Sequence, residues 1–312
     1  MRFPRREVRM SGPPAKRPSA QGLEYLNRLT LRVRRGMGDR PGDRRFPGRP
    51  QPAGSELEAY SAYAPGDDLR HLDWNAVARL DALLVRRFTA ERQVTVHLLL
   101  DCSASMGVPA RDQKLAVAAE LALALAYVAL SANDAVRVLL LAGDGPSDLS
   151  RVYRQRASVM RLAELLGEAT AAGQLGFGAA LEAYARRQPR PGVVMVISDL
   201  MMEPAEVERG VQALRARGHE VVLLHVIGRG ELDPGRDFTR GLLQDVESGI
   251  TRPIVLTAAA RARYREVLDD HLHALAGLAA RLQATYARLP TDTSVREFLT
   301  AELPRLGVIG RR

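Results

Sequence analysis

The residues best suited to chemistry in this 312-residue chain are two aspartates, each placed directly after an apolar run. Asp101 ends the run in LLLDCSASMG, and Asp199 ends the run in VVMVISDL. Ser103 and Ser105 follow Asp101 at alternate positions, so one carboxylate and two hydroxyls can converge on one ion. Such hard oxygen ligands suit Mg²⁺, with Mn²⁺ or Ca²⁺ as alternatives. The pattern predicts a metal site of Asp101, Ser103, Ser105 and Asp199; the alternative is that these residues only cap a helix and a turn.

A sheet must position these side chains. Hydrophobic periodicity predicts strands at 94–100, 135–141, 193–198 and 220–227, with a short fifth at 254–256, and helices at 113–132, 159–171, 179–187, 205–217 and 258–287. This alternation predicts an α/β fold, an open, mostly parallel sheet flanked by helices. Ligands bind such sheets at the carboxyl ends of strands, where the strand order reverses. Buried carboxylates there are costly without a compensating charge, and a divalent cation is the simplest one.

The positive charge of the chain is concentrated near its N-terminus. Residues 1–50 contain 14 basic and 4 acidic residues, whereas residues 51–312 contain 31 basic and 32 acidic residues. Residues 1–22 are therefore predicted to form a disordered basic tail, followed by a short amphipathic helix over 23–35. A basic segment can contact nucleic acid or anionic lipid through phosphates. Its few aromatic residues do not favour nucleic acid.

The chain has a single cysteine, Cys102, which excludes an internal disulfide and a Cys-based zinc cluster. Residues 1–30 contain no apolar segment of a secretory signal. The longest apolar stretch, 121–130, is too short to span a bilayer and is predicted to be a buried helix. We therefore expect a soluble, cytoplasmic protein without a transmembrane segment.

The sequence does not favour catalysis. A haloacid dehalogenase-type phosphatase needs a second carboxylate at the position of Ser103 and a downstream lysine, for which Lys114 is the candidate. A serine hydrolase of the G-x-S-x-G type and a nucleotide-binding G-x-x-x-x-G-K-[ST] loop have no matching segment. The six histidines lack metal-ligand spacing, and His97 and His225 lie within predicted strands as core or interface residues.

Residues 54–93 carry a longer and more specific pattern. They read GSELEAYSAYAPGDDLRHLDWNAVARLDALLVRRFTAERQ. This segment resembles the signature of the bacterial family called domain of unknown function 58, with matches at Gly54, Glu56, Tyr63, Pro65, Gly66, Asp67, Asp68, Arg70, Asp73, Trp74, Ala78, Arg79, Val85, Arg86 and Glu91. Trp74 is the only tryptophan, and we expect it to anchor the segment; the alternative is a surface for a partner.

The resemblance implies a von Willebrand factor type A-like domain at residues 93–305, preceded by the motif segment at 23–92. It implies that Asp101, Ser103, Ser105 and Asp199 form a metal-ion-dependent adhesion site. That site usually adds a threonine, which the stretch around Gly178 lacks. It further implies a non-enzymatic adaptor for a MoxR-type AAA+ ATPase and an unidentified client protein. The alternative is a nucleic-acid or anionic-membrane binder that acts through the basic N-terminal segment.

Overall fold

The computed structural model describes residues 24–32, 56–65, 69, 72–80, 82–89, 94–143, 145–146, 151–188, 191–233, 240–244 and 251–311. The chain forms two compact units, one of residues 1–34 with 94–312 and the other of residues 35–93. The predicted tail at 1–22 lies outside the described residues. So do six of the residues that match the family motif: Gly54, Gly66, Asp67, Asp68, Arg70 and Glu91.

The strands and helices alternate along most of the larger unit. The strands are β1 (Leu29–Leu31), β2 (Glu56–Ala62), β3 (Leu84–Thr89), β4 (Thr95–Asp101), β5 (Ala135–Ala142), β6 (Gly145–Pro146), β7 (Val193–Ser198), β8 (Glu220–Ile227), β9 (Arg240–Gln244), β10 (Thr251–Val255), β11 (Thr285–Pro290) and β12 (Ile309–Arg311). The helices are α1 (Trp74–Leu80), α2 (Lys114–Ser131), α3 (Val159–Gly167), α4 (Phe177–Arg187), α5 (Pro204–Ala216), α6 (Arg229–Leu232), α7 (Ala258–Arg281), α8 (Val295–Glu297) and α9 (Leu303–Arg305). Short 3₁₀ turns at Ala104–Gly107 and Ala110–Asp112 join β4 to α2.

One six-stranded sheet organises the larger unit, with the spatial order β11-β8-β7-β4-β5-β6. All neighbouring pairs are parallel except β5 with the short edge strand β6. Numbered along the chain within this sheet and read from the β6 edge, the order is 3-2-1-4-5-6. It therefore reverses between β4 and β7, the place where such sheets bind ligands. The predicted α/β fold with a mostly parallel sheet is confirmed.

Both faces of the sheet are covered by helices, which explains the continuous apolar runs of its central strands. Along β4, Leu98 and Leu100 pack into the core that α2 and α3 cover, while Leu99 points into the core of α4, α5 and α7. α2 is buried along most of its length. The segment Ala110–Ser131 is long and apolar enough to cross a membrane by length and composition, but 78% of its apolar window is buried inside the protein, as in a core helix.

The structure corrects two predictions at the C-terminal end of the larger unit. The helix predicted over 258–287 ends at Arg281, because Gln283 adopts a left-handed conformation with φ of 53°. The chain then enters β11, which supplies the parallel edge strand beside β8. The predicted short fifth strand at 254–256 is a strand at residues 254 and 255, within β10, but it is not part of the parallel sheet, because β10 pairs with β9 in a separate antiparallel hairpin.

The predicted helix over 23–35 is also wrong for most of its length. Within the described residues 24–32, the helix covers 24–26, and β1 follows, paired antiparallel with β12 at the other end of the chain. Leu26, Leu29 and Leu31 are buried in the core of the larger unit. The apolar spacing that resembled a helix stripe therefore belongs to a turn and a short strand, and residues 29–31 pack with the α/β unit.

In the smaller unit, β2 and β3 form an antiparallel hairpin, and α1 lies between them in the chain. Asp73 caps the start of α1 because its Oδ1 accepts the backbone N–H groups of Asn75 and Ala76 at 3.0 and 3.3 Å. Its Oδ2 accepts the Tyr60 hydroxyl at 3.0 Å. The expectation that Trp74 is an anchor is wrong, because this side chain is 67% exposed.

His97 and His225, in β4 and β8, are buried as predicted. The Tyr184 hydroxyl lies 2.5 Å from Nδ1 of His97, and the Tyr286 hydroxyl lies 2.7 Å from Nδ1 of His225. Burial is the main cause that lowers the pKa of each ring to about 3. Both rings are therefore neutral parts of the core near neutral pH.

The His97→Gln substitution should weaken the dependence of stability on pH. The pKa of His97 is about 3 in the folded protein and 6.5 in a free side chain. The unfolded chain therefore binds the proton first, and stability is lost as the pH falls from about 6.5 toward 3. At about pH 5 this loss amounts to about 2 kcal/mol. Between about pH 7 and about pH 5, the free energy of unfolding measured in urea should therefore fall by about 2 kcal/mol less in the variant than in the wild type.

The exposed His273 on α7 provides the control, since His273→Gln should leave the pH dependence as in the wild type. An equal loss of stability in His97→Gln and the wild type would contradict the assignment of His97 as a buried neutral ring.

Candidate functional site

Asp101 is the last residue of β4 and is fully buried. Its Oδ1 accepts the backbone N–H of Ser103 at 2.8 Å, and its Oδ2 accepts the Ser198 hydroxyl at 2.5 Å. Burial and the nearby Asp199 raise the pKa of Asp101, while the hydrogen bonds from Ser198 and Ser103 oppose that rise. Neutral donors thus compensate this carboxylate only in part.

Ser103 and Ser105 lie in the turn after β4, and their hydroxyl oxygens are 3.0 Å apart. Mg²⁺ binds oxygen at about 2.0–2.1 Å in octahedral geometry, so adjacent ligand oxygens are about 2.9 Å apart. The two hydroxyls therefore fit adjacent positions around one Mg²⁺ ion. A carboxylate has about four acceptor positions, so Asp101 keeps capacity beyond its hydrogen bonds from Ser198 and Ser103 and can complete the same donor set.

Asp199 directly follows β7 at the point where the strand order reverses, and it is buried. Asp101 and Asp199 end neighbouring parallel strands, as predicted. We call the group of Asp101, Ser103, Ser105, Ser198 and Asp199 the switch-point site. Ser198 was missed by the sequence analysis, although its place beside Asp199 at the end of the same apolar run could have indicated it.

A lysine contacts the second aspartate. Nζ of Lys114 lies 2.8 Å from Oδ2 of Asp199 and also contacts Oε1 of Glu231. The Lys114 side chain is 1% exposed and the Glu231 side chain 17%. We call these three residues the Lys114 cluster. The sequence indicated Lys114 only as a candidate phosphatase lysine and gave no signal for Glu231, which is 117 residues away.

The loop after β8 is fastened to this cluster. Oε2 of Glu231 accepts the backbone N–H of Gly228 at 2.7 Å, and Oδ2 of Asp112 accepts the backbone N–H of Gly230 at 2.8 Å. The Tyr264 hydroxyl donates to the backbone oxygen of Glu231 at 2.8 Å. Loops that follow β4, β7 and β8 therefore meet at one edge of the sheet.

The segment that the resemblance associates with a threonine contains no hydroxyl side chain between Gly176 and Leu181. Gly178 instead packs tightly against α5. Its backbone N–H donates to Oε2 of Glu206 at 3.2 Å, and a Cβ at this position would lie 2.7 Å from Nε of Arg209. A side chain larger than glycine cannot occupy this place without displacing Arg209. The hydroxyls of the site come from Ser103, Ser105 and Ser198.

Cys102 is the reactive side chain next to Asp101 in the sequence. Cys102 is buried, and burial, with a smaller effect of Asp101, raises the pKa of its thiol to about 12. This thiol is therefore protonated and a poor nucleophile at neutral pH. Within the described ranges, no group of three or more His, Cys, Asp or Glu side chains could hold a metal ion. A cation at the switch-point site would thus depend on serine oxygens as well as carboxylates.

Comparison with known proteins gives consistent relatives. The model of a family described as "Protein of unknown function DUF58" matches residues 59–274. An uncharacterized protein of Mycobacterium bovis and one of Mycobacterium tuberculosis are each 30% identical to the chain over 223 residues, which cover 70% of this chain and 69% of theirs. The sequence similarity thus extends over most of this chain and most of each relative.

Solved structures are more distantly similar. The conserved hypothetical protein BatB from Bacteroides thetaiotaomicron shares 19% sequence identity over 68% of this chain and 98% of its own, with a TM-score of 0.41. The SpRpn10 VWA domain shares 11% identity over 68% of this chain and 96% of its own, with a TM-score of 0.38.

The Ser198→Ala substitution should destabilise the protein more than Ser105→Ala does. The Ser198 hydroxyl donates to Asp101 and accepts the backbone N–H of Leu200 at 3.1 Å, and all three residues are buried. Its loss leaves a buried N–H and a buried carboxylate oxygen without this partner, at a cost of about 1–3 kcal/mol. Ser105 is only partly buried, so Ser105→Ala should cost about 1 kcal/mol or less.

Chemical denaturation of both variants measures the two costs. Equal losses of stability would show that the Ser198 hydroxyl does not support the Asp101 carboxylate.

Proposed function

The chain belongs to the DUF58 family of proteins of unknown function and has a von Willebrand factor type A-like fold, and we propose that it is a protein-binding module. Its contact surface is the switch-point site, at the carboxyl ends of β4 and β7. The observation that carries this proposal is the convergence of the Ser103 and Ser105 hydroxyls, 3.0 Å apart, beside the buried Asp101 carboxylate.

The proposal includes a divalent cation, Mg²⁺ in the first place and Mn²⁺ or Ca²⁺ as alternatives. Ser103, Ser105 and Asp101 would hold it, with Asp199 beside them. A bound Mg²⁺ would supply a coordination position that accepts an oxygen ligand from a partner. Ser103 and Ser105 contribute no charge, so the donor set leaves the cation under-compensated and able to attract a partner carboxylate.

The proposed partner is a MoxR-type AAA+ ATPase, together with a client protein, in the cytoplasm. The support is the family resemblance of the segment at 54–93 together with the described part of that motif. Within the motif, Asp73 has a structural role as the cap of α1, whereas Trp74 is exposed. Trp74 is therefore available to a partner, which favours the docking surface over the anchor as the role of this residue.

A non-enzymatic role agrees with the chemistry of the described side chains. The thiol of Cys102 and the rings of His97 and His225 are held in their neutral forms by burial. The Lys114 ammonium is already bonded to two carboxylates. The phosphatase role that sequence analysis weighed for this lysine is thus disfavoured.

The Ser105→Ala substitution tests the proposed function without a large effect on the fold. We expect binding of a MoxR-type ATPase from the same genome to require Mg²⁺. We expect Ser105→Ala to weaken Mg²⁺ binding by about tenfold or more, equivalent to about 1.4 kcal/mol. Calorimetric titration with MgCl₂ and partner binding in Mg²⁺ and in EDTA provide the measurements. Partner binding that is equal in EDTA and in Mg²⁺, and unchanged in the variant, would contradict the proposal.

A second candidate function rests on the charge of residues 1–50, whose net value is +10 against −1 for the rest of the chain. This basic segment could bind nucleic acid or an anionic membrane. A deletion that tests it must end at residue 22, because β1 pairs with β12 and belongs to the α/β unit.

Removal of residues 1–22 takes away six basic residues and one acidic residue. We expect this deletion to leave Mg²⁺ and ATPase binding unchanged. Binding to RNA and to anionic vesicles is measured over a series of salt concentrations with the full chain and the deletion. Tight, steeply salt-dependent binding that the deletion abolishes, with no ATPase binding by the full chain, would favour the second function instead.

A further inference from the structure

The carboxyl edge of the sheet holds a buried ammonium among several carboxylates. Lys114 carries the ammonium, which contacts Asp199 and Glu231, while Asp101 and Asp112 carry further carboxylates of this edge. Lys114 is one of only two lysines in a chain with 45 basic residues, and it is 1% exposed. Lysine is almost never buried unless it is paired. This placement therefore indicates a specific role for its charge.

The position of Lys114 is unfavourable apart from these two contacts. It is the first residue of α2, and the amino end of a helix disfavours a cation. Its Nζ nevertheless lies 2.8 Å from Oδ2 of Asp199 and also contacts Oε1 of Glu231, although the side chain is 1% exposed. These two ion pairs offset the cost of burying the ammonium, and the same contact places a positive charge beside Asp199.

We propose that Lys114 is a built-in counter-ion for Asp199, which holds this carboxylate in place whether or not a divalent cation is bound at the serine side of the switch-point site. Removal of the ammonium then makes the stability of the site dependent on a divalent cation, which takes over the compensation of Asp199. The counter-ion role of Lys114 rests on its contact with Asp199 alone, whereas the replacement of the ammonium by Mg²⁺ rests on the proposed function.

The Lys114 cluster also connects three segments that lie beyond the strands of the sheet. Lys114 begins α2, Asp199 follows β7, and Glu231 lies in α6 after β8. Glu231 accepts the N–H of Gly228, so the ammonium is linked through it to the backbone of the loop. Loss of the ammonium is therefore expected to loosen the loops that border the proposed binding surface, rather than to act at one side chain.

The decisive experiment compares the full-length wild type with Lys114→Met, Asp199→Asn and the double variant, each by thermal unfolding in EDTA and in saturating MgCl₂. Arg305→Met is the matched control, because Arg305 pairs with Glu302 at the surface with its side chain 76% exposed. In EDTA, we expect Lys114→Met to lower the Tm by about 10 °C. Arg305→Met should have little effect.

The double variant separates charge compensation from simple packing. Asp199→Asn removes the carboxylate that Lys114→Met leaves uncompensated, so the double variant should have a higher Tm than Lys114→Met alone. Saturating Mg²⁺ should raise the Tm of Lys114→Met by about 5 °C more than that of the wild type. The double variant should lose this additional response, because it lacks the carboxylate that attracts the ion.

Two results would overturn the proposal. If Asp199→Asn fails to recover stability in the Lys114→Met background, Lys114 does not act as a counter-ion of Asp199. Recovery without an additional Mg²⁺ response in Lys114→Met would overturn the exchange of ammonium for metal. Should Lys114→Met not fold, circular dichroism of the double variant decides, since the proposal requires that it recover folded protein.

The readouts also separate this inference from the proposed function. Absence of Mg²⁺ binding to the wild type contradicts the proposed metal site, but recovery of stability in the double variant would still support the counter-ion role. Conversely, if the wild type binds Mg²⁺ but Asp199→Asn does not recover stability in the Lys114→Met background, the proposed metal site is supported and the counter-ion role is contradicted.

Discussion

The fold must accommodate two buried carboxylates, Asp101 and Asp199, at the ends of two neighbouring parallel strands. Their position follows from the fold, because β4 and β7 lie side by side where the strand order reverses, and both point their carboxyl ends to the same edge. Burial of charge there is expensive unless donors or opposite charges surround it. The structure meets this constraint in two different ways, and the chemistry of the site follows from the difference.

Asp101 is held by neutral donors, the Ser103 backbone N–H and the Ser198 hydroxyl. Neutral donors orient a carboxylate but do not cancel its negative charge. The Asp101 carboxylate can therefore still attract a cation beside Ser105. Asp199 is held by the Lys114 ammonium, which both orients it and cancels its charge. In the proposed function, the side with Ser103 and Ser105 binds a metal ion and a partner, whereas the Asp199 side is a support that links α2, β7 and the loop after β8.

The sequence predicted the parts of this arrangement that depend on local pattern. The apolar runs before Asp101 and Asp199 identified two buried strands, and the parallel α/β fold then placed both aspartates at one edge. Strand β11 was missed, because its residues Thr285–Pro290 mix exposed and buried positions and include strong helix formers that continue the pattern of α7. In the same way, the apolar residues at 23, 26, 29 and 33 resemble a helix stripe until the pairing of β1 with the distant β12 is known.

The Lys114 cluster could not be predicted from spacing. Its members are separated by 85 and 117 residues, and only the folded chain brings them together. The available signal was chemical, since a lysine begins the largely apolar helix α2. Trp74 shows that a chemical signal can also mislead. As the single tryptophan in a specific motif it was expected to be an anchor, but its side chain is 67% exposed. Burial of one side chain depends on neighbours that its own segment does not specify.

The most direct test of this account is a crystal structure of the full chain grown with MnCl₂, in which anomalous scattering locates the metal. The account predicts an anomalous peak in contact with the Ser103 and Ser105 hydroxyl oxygens, with the Lys114 ammonium still bonded to Asp199. The absence of a peak at the serine pair under conditions that saturate a divalent site, or a Mn²⁺ ion in place of the ammonium, would contradict it.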